Sequence, residues 1–215
     1  SLQDILDNPA QYLGNLQSYF YYDPFAWQER QEPVWGIGLT AEKYPGATAS
    51  RIQMALSYND GFGRVLCSKA KVEAGEAFIY DPLTHQITEG TTEDRWLTSG
   101  KTVYNNKGNA VKQYEPYYIN TPEYITTPIV DTFGVSPTIY YDPLDRVTKT
   151  ITAKGYLLTH VWTAWEETVS DANDTFIASP YCQVNVLQVD TQSSYYDTDL
   201  SQEDRQALAA IINNP

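Results

Sequence analysis

The chain alternates apolar and polar residues over short stretches and breaks each stretch with Asp, Asn, Gly or Pro. Residues 51–58 put Ile52, Met54, Leu56 and Tyr58 on one side and Gln53, Ala55 and Ser57 on the other, the period of a half-buried strand. Residues 64–72 return from it, with Val65 and Cys67 at alternate positions. Further strands are predicted at 18–23, 33–39, 96–104, 110–118, 138–141, 146–152 and 156–165. Residues 40–48 predict a Gly/Pro loop, 86–94 a polar loop, and 171–174 a turn. Pro122, Pro128 and Pro137 and the lack of a clear period predict that 119–137 runs over the surface as a connection. Helix is expected only at the ends. Residues 2–16 form a short lead-in, and Ser201 with an acidic group three residues on opens an amphipathic helix whose apolar face is Leu208, Ile211 and Ile212.

One phrase recurs between these strands: an aromatic, Asp or Asn, a turn, then Arg or Lys and a β-branched run. It reads Tyr58-Asn59-Asp60-Gly61-Phe62-Gly63-Arg64, then Tyr104-Asn105-Asn106-Lys107-Gly108, then Tyr141-Asp142-Pro143-Leu144-Asp145-Arg146. Looser copies sit at 22–25 and 80–84. Each copy predicts one β-hairpin, with the tyrosine on the packed face and the following Asp or Asn capping the turn. Such units cannot bury their faces alone and must stack on neighbours. The expected fold class is therefore mainly β, consecutive antiparallel hairpins with short terminal helices. The expected division is 1–17 lead-in, 18–193 hairpin region and 194–215 acidic linker with helix. The structural motif residues are Tyr58, Asp60, Gly61, Gly63, Arg64, Tyr104, Asn105, Gly108, Tyr141, Asp142 and Arg146.

Composition narrows the partners. The 215 residues carry a net charge of −13, which argues against nucleic acid or an anionic membrane as partner. No apolar run approaches the roughly 18 residues of a spanning helix, and no signal peptide reads at the start. The 18 Tyr and 5 Trp suit pleated, half-buried surfaces. Cys67 and Cys182 are too few for a disulfide framework and read as buried free thiols.

The search for chemistry returns structural roles. His85 falls in a turn and His160 in a strand; His160 becomes a base only if Ser179 or Cys182 folds beside it. Asp171, Asn173 and Asp174 could offer oxygens to Ca²⁺ but lack an EF-hand's Gly and distal Glu, so turn capping is expected. Glu166 and Glu167 would face opposite sides of a strand. Tyr19–Tyr22 and Tyr195–Tyr196 could stack sugars, with packing inside a sheet the expected use. No catalytic, cofactor-binding or metal-binding residue is assigned, and the chain is not expected to be an enzyme.

These phrases resemble those of YD-repeat, or Rhs, proteins. Phe20-Tyr21-Tyr22-Asp23-Pro24-Phe25-Ala26-Trp27, residues 58–64, residues 96–108, Gln113-Tyr114-Glu115-Pro116-Tyr117, residues 140–147, Trp162-Thr163-Ala164-Trp165-Glu166 and 171–175 are similar, in order, to the B-type subunit of bacterial Tc insecticidal toxin complexes outside its propeller. The resemblance covers roughly residues 18–178. It implies a secreted, non-catalytic segment of the hollow shell that B-type and C-type subunits build around a toxic polypeptide. The implied partners are the rest of a longer chain and a C-type toxin subunit, without nucleic acid or direct membrane insertion. Open strand edges imply edge-to-edge self-association of a fragment. One departure is Asp145, where the repeat has Gly; left-handed backbone costs a non-glycine residue about 1 kcal/mol, Asp less than most. A carbohydrate- or cell-surface-binding β module is the alternative function.

Overall fold

The computed structural model describes residues 1–43 and 51–213. In chain order its elements are α1 (Leu2–Asp7), α2 (Pro9–Leu13), β1 (Ser18–Asp23), α3 (Ala26–Arg30), β2 (Val34–Ala41), β3 (Ile52–Asn59), β4 (Val65–Val72), β5 (Gly75–Tyr80), β6 (Ile87–Thr92), β7 (Arg95–Ser99) and β8 (Thr102–Tyr104). There follow β9 (Ala110–Gln113), β10 (Tyr117–Ile119), α4 (Thr127–Val130), β11 (Thr138–Tyr141), β12 (Val147–Ile151), β13 (Leu157–Trp162), β14 (Glu167–Ser170), α5 (Pro180–Cys182) and α6 (Gln202–Asn213). The protein is mainly β, as its alternation predicts. Helix is not confined to the ends, because α3 and α4 interrupt the strands and α5 follows the last of them.

Two compact units form: Ser1–Val103 with Tyr114–Gly134, and Tyr104–Gln113 with Val135–Pro215. The chain crosses between them at 103/104, 113/114 and 134/135, so the units follow a different partition from 1–17, 18–193 and 194–215. The first unit holds an eight-stranded sheet in the order β1-β2-β3-β4-β7-β10-β5-β6, antiparallel except where β10 meets β5. The other sheet has the order β14-β13-β12-β11-β9-β8.

The sheet of the first unit has a clear inner face. Along β2, Trp35, Ile37, Leu39 and Ala41 are buried while Gly36, Gly38 and Thr40 alternate with them. Leu56 and Tyr58 of β3, Cys67 and Lys69 of β4, and Trp96 and Thr98 of β7 continue that face. On the opposite face Phe20 and Tyr22 lie over glycines: a Cβ at Gly38 would come 3.0 Å from the Phe20 ring, and one at Gly36 3.4 Å from the Tyr22 ring. Of the cluster Tyr19–Tyr22 only Tyr19 packs against the core, while Phe20, Tyr21 and Tyr22 are exposed.

Four boundaries differ from the pattern's prediction, each for a local reason. The polar stretch 86–94 contains β6, because its β-branched threonines pair with β5 from Gly75↔Thr92 to Tyr80↔Ile87. The stretch 96–104 is two strands, parted at Gly100 with φ 63°. Residues 110–118 also divide, around Tyr114-Glu115-Pro116, where proline removes a ladder donor. Residues 156–165 end at Trp162, and Thr163–Glu166 turns the chain into β14. The expected loop 40–48 begins after Ala41, and residues 44–50 lie outside the described ones.

The larger correction concerns 119–137. Ile119, Ile125 and Val130 are among the most buried residues of the first unit. Phe133 packs 4.4 Å from Phe78 and 5.0 Å from Tyr117, ring centre to ring centre. The segment closes the core instead of running over it.

Candidate functional site: repeated turns and buried cations

The first constellation is the turn itself, repeated with the same atoms. Asp60 Oδ1 accepts from the N–H groups of Phe62 (2.8 Å) and Arg64 (2.9 Å), and Asp60 Oδ2 from Arg64 Nε (2.6 Å). Asp142 does the same toward Leu144 N (2.8 Å), Arg146 N (3.0 Å) and Arg146 Nε (2.7 Å). Asn105 Oδ1 accepts from Lys107 N (3.0 Å) and Asn109 N (2.9 Å). In all three the backbone closes twice: Gly63, Gly108 and Asp145 donate to the carbonyl three residues back, and the capping residue donates to the fifth. The fourth residue is left-handed, φ 79° at Gly63, 93° at Gly108 and 64° at Asp145. This is the three-residue hairpin loop with a bulge, and the side-chain carboxylate or amide satisfies donors that the bulge leaves open. Donated hydrogen bonds hold the Asp142 carboxyl below its usual range, Arg146 N first. Burial opposes the same effect at Asp60, but the bonds from Arg64 and Phe62 prevail.

The copies are not equal. In the first, the cap is Asp60 and Asn59 intervenes between it and Tyr58. Tyr58 is buried and its hydroxyl donates to Pro122 O (2.8 Å). Tyr104 and Tyr141 are only half-buried, and Tyr141 donates to Ala110 O (2.8 Å) on the adjoining hairpin. The copy at 22–25 caps Phe25 N through Asp23 and then opens α3, so it is no tight hairpin. The copy at 80–84 does form one: Asp81 accepts from Leu83 N and Thr84 Oγ1. A further copy escaped the phrase because threonine replaces the acid. Thr152 Oγ1 accepts from Tyr156 N (3.0 Å), and Gly155 (φ 86°) donates to Thr152 O. Its signal was the Thr-x-x-Gly spacing. A Cβ at Gly155 would come 2.9 Å from the Tyr195 ring, so glycine is required twice over.

The second constellation is a set of buried cations that the sequence did not mark. Lys69 and Lys101 are 2% and 1% exposed. Lys69 Nζ donates to the carbonyls of Thr121 (3.0 Å) and Glu123 (2.5 Å), and Lys101 Nζ to that of Ile125 (2.9 Å). The Lys101 ammonium also sits 3.7 Å from the centre of the Tyr124 ring. With Tyr58 on Pro122, the carbonyls of 121, 122, 123 and 125 all find side-chain donors, which lets an irregular strap lie inside the core. Asn120 extends the device, accepting from Tyr80 N (2.8 Å) and donating to Tyr80 O (3.2 Å). Burial, with no carboxylate bonded to either, pulls both ammonium groups down to about 8. Burial pushes Cys67 and Tyr58 up, and Tyr124 to about 12.

The second unit repeats the device with arginine. Arg205 of α6 is 7% exposed and donates to Asn185 O (2.9 Å), Asn185 Oδ1 (3.0 Å) and Asp197 O. The inward face of α6 is thus Arg205, Leu208, Ala209 and Ile212, while Ile211 is exposed. Ser201 caps the helix as expected, accepting from Asp204 N (3.1 Å). The spacing 205, 208, 209, 212 was in the sequence, but its charged member hid it.

Residues weighed for catalysis stay apart. His160 bonds Glu167 (2.8 Å) and stacks on Trp162; Ser179 accepts from Cys182 N and donates to Phe176 O, and neither reaches His160. His85 bonds Tyr80 Oη (2.7 Å). Asp171 Oδ1 accepts from Asn173 N and Asp174 N, the geometry of a capped turn. Cys67 and Cys182 are buried and unpaired. Among the described residues no group of three or more His, Cys, Asp and Glu could hold a metal, and no helix is long and apolar enough to cross a membrane.

This array of capped hairpins closed by buried cations is similar to solved structures of Tc toxin complexes, a likeness consistent with their B-type, Rhs-like region. In particular, a crystal structure of TcdB2-TccC3 is 31% identical over 75% of this chain, with a TM-score of 0.69. A crystal structure of TcdB2-TccC3-Cdc42 is 31% identical over 71%, with a TM-score of 0.64. A structure of the Photorhabdus luminescens Tc holotoxin pore is 32% identical over 68%, with a TM-score of 0.63. The matches span only 8%, 7% and 7% of those chains. No protein-family model and no curated protein matches the chain.

Proposed function

We propose that the chain is a non-catalytic wall segment of a secreted Tc-type toxin complex, part of the shell that encloses a toxic polypeptide. Its partners are then the neighbouring hairpins of a longer B-type chain and a C-type subunit. The observation that carries this is the second sheet. Among the described residues, no hydrophobic side chain of β9 or β11–β14 is fully buried, although these strands pair in order. A sheet half-covered on both faces belongs in a larger wall. The test is a graft: this chain replaces the matching stretch of a TcdB2-TccC3 chain, and the enclosed region is exposed to protease. The reading predicts a folded complex whose enclosed region stays resistant. Rapid digestion of that region in a complex that still assembles would contradict it.

A binding module is the second reading, favoured by one feature. Phe20 and Tyr22 wall a trough of about 580 Å³ floored by Gly36, Gly38, Ala55 and Ser57. Glycan-array binding that disappears in Phe20→Ala and Tyr22→Ala would support it, and an array without signal would remove it.

A further inference from the structure

Asp145 is costly where it stands, and its side chain explains why it is there. The equivalent residues of the turns at 60–64, 105–109 and 152–156 are glycines with left-handed backbone; Asp145 holds the same conformation at φ 64°. Its carboxylate does not cap its own turn. Oδ1 accepts from Asn109 Nδ2 (2.7 Å) and lies 3.2 Å from Lys107 Nζ, and Lys107 Nζ also donates to Pro143 O (2.5 Å). Lys107 and Asn109 are the third and fifth residues of the 105–109 turn. All contacts therefore run from one turn to the next.

The strands beneath these turns need such a link. β9 meets β11 through one register pair, Thr138↔Lys112, whereas β11 and β12 share four and β12 and β13 share three. Residues 114–137 lie between β9 and β11 in sequence, so no short loop holds them together. Backbone pairing alone leaves this seam weaker than β11–β12 and β12–β13.

We propose that Asp145, Lys107 and Asn109 form a clasp between turns that sets the register of the two hairpins, and that an acid replaces glycine for this purpose. The clasp is an interaction surface with a defined partner: an acid at the fourth position of one turn fits a neighbouring turn with lysine third and asparagine fifth. It does not depend on the chain lining a shell. The opposing account is that Asp145 is merely tolerated and that the half-exposed ion pair contributes nothing.

Hydrogen exchange of amides in β9 and β11, with the thermal midpoint, separates the accounts in the intact chain. The clasp predicts that Asp145→Gly speeds exchange along this seam about fivefold, the size of a factor near 1 kcal/mol, while β11–β12 amides next to the relieved turn are unchanged or slower. Asp145→Asn, which keeps an acceptor for Asn109, restores part of the protection. Asn109→Ala speeds the seam in the wild type and adds nothing in the Asp145→Gly background. Unchanged or slower seam exchange in Asp145→Gly, or additive effects of the two substitutions, would overturn the clasp.

Discussion

The two sheets share turn chemistry but differ in what lies behind them. The sheet of the first unit has an inner face with Trp35, Ile37, Leu39, Leu56 and Trp96 all under 5% exposed. In the second unit, every residue of β12 is half-buried, and Val161 and Val169 are exposed. Among the described residues, the fully buried hydrophobics of the second unit lie in 181–186, outside its sheet. One region is stabilised by a core and the other by caps, aromatic stacking and strand pairing. A repeated turn fixes local geometry without fixing burial.

Substitutions in the core of the first unit should cost the most. Trp96→Ala should cost about 3–5 kcal/mol and Leu39→Ala about 2–5, whereas Val161→Ala should stay within about 0.5 kcal/mol. Denaturant titration read through fluorescence and amide exchange checks this; equal losses would show that the second sheet has a core of its own.

Next is pH, where the buried lysines separate the units. The ammonium groups of Lys69 and Lys101 titrate near 8 when folded, against the ordinary 10.5. The unfolded chain therefore binds more protons between these values, and stability rises with pH through that window. By pH 9 each lysine contributes roughly 1–2 kcal/mol relative to pH 7. The Cys67 thiol, raised by burial from 9.0, opposes this above pH 9, so the rise is clearest between 8 and 9. Lys69→Met and Lys101→Met should each flatten it, and a stability that falls steadily from pH 7 to 9 would refute the assignment. The second unit holds neither lysine, so protection around 185 and 197 should not follow this rise.

Smaller effects come from the caps. Asp60→Ala and Asp142→Ala should each lower the midpoint, and the wild-type advantage should fade as pH drops through the lowered carboxyl range, since a depressed folded pKa stabilises only above it. Asn in place of either Asp keeps the Oδ1 acceptor and should recover most of the loss at neutral pH. Smallest of all, Phe62→Ser and Trp165→Ser, at turn tips 87% and 94% exposed, should change stability by under about 0.5 kcal/mol in the isolated chain.

The β class, the alternating strands at 52–59 and 65–72 and the main turns were legible because period and turn chemistry act within a few residues. What stayed hidden depends on distant partners. Ile87–Thr92 became a strand through its pairing with β5, not through its own apolarity. The prolines around 119–137 pointed to a surface loop, whereas the donors of Lys69 and Lys101 make that path buriable. A lysine within an alternating strand carries no mark that it points inward. Thr152 was missed because a hydroxyl can cap as a carboxylate does. Asp145 could be flagged as anomalous from the sequence, but its reason needed the neighbouring turn.

On the proposed wall reading, the second sheet is covered by neighbouring strands of a longer chain. Amide exchange measured on the isolated chain and on the same chain grafted into a TcdB2-TccC3 complex tests it most directly. The account predicts that β11–β14 gain at least tenfold protection on grafting while β2, β3 and β4, already backed by their own core, change little. Equal protection of β11–β14 in both settings would contradict it and leave a self-contained domain.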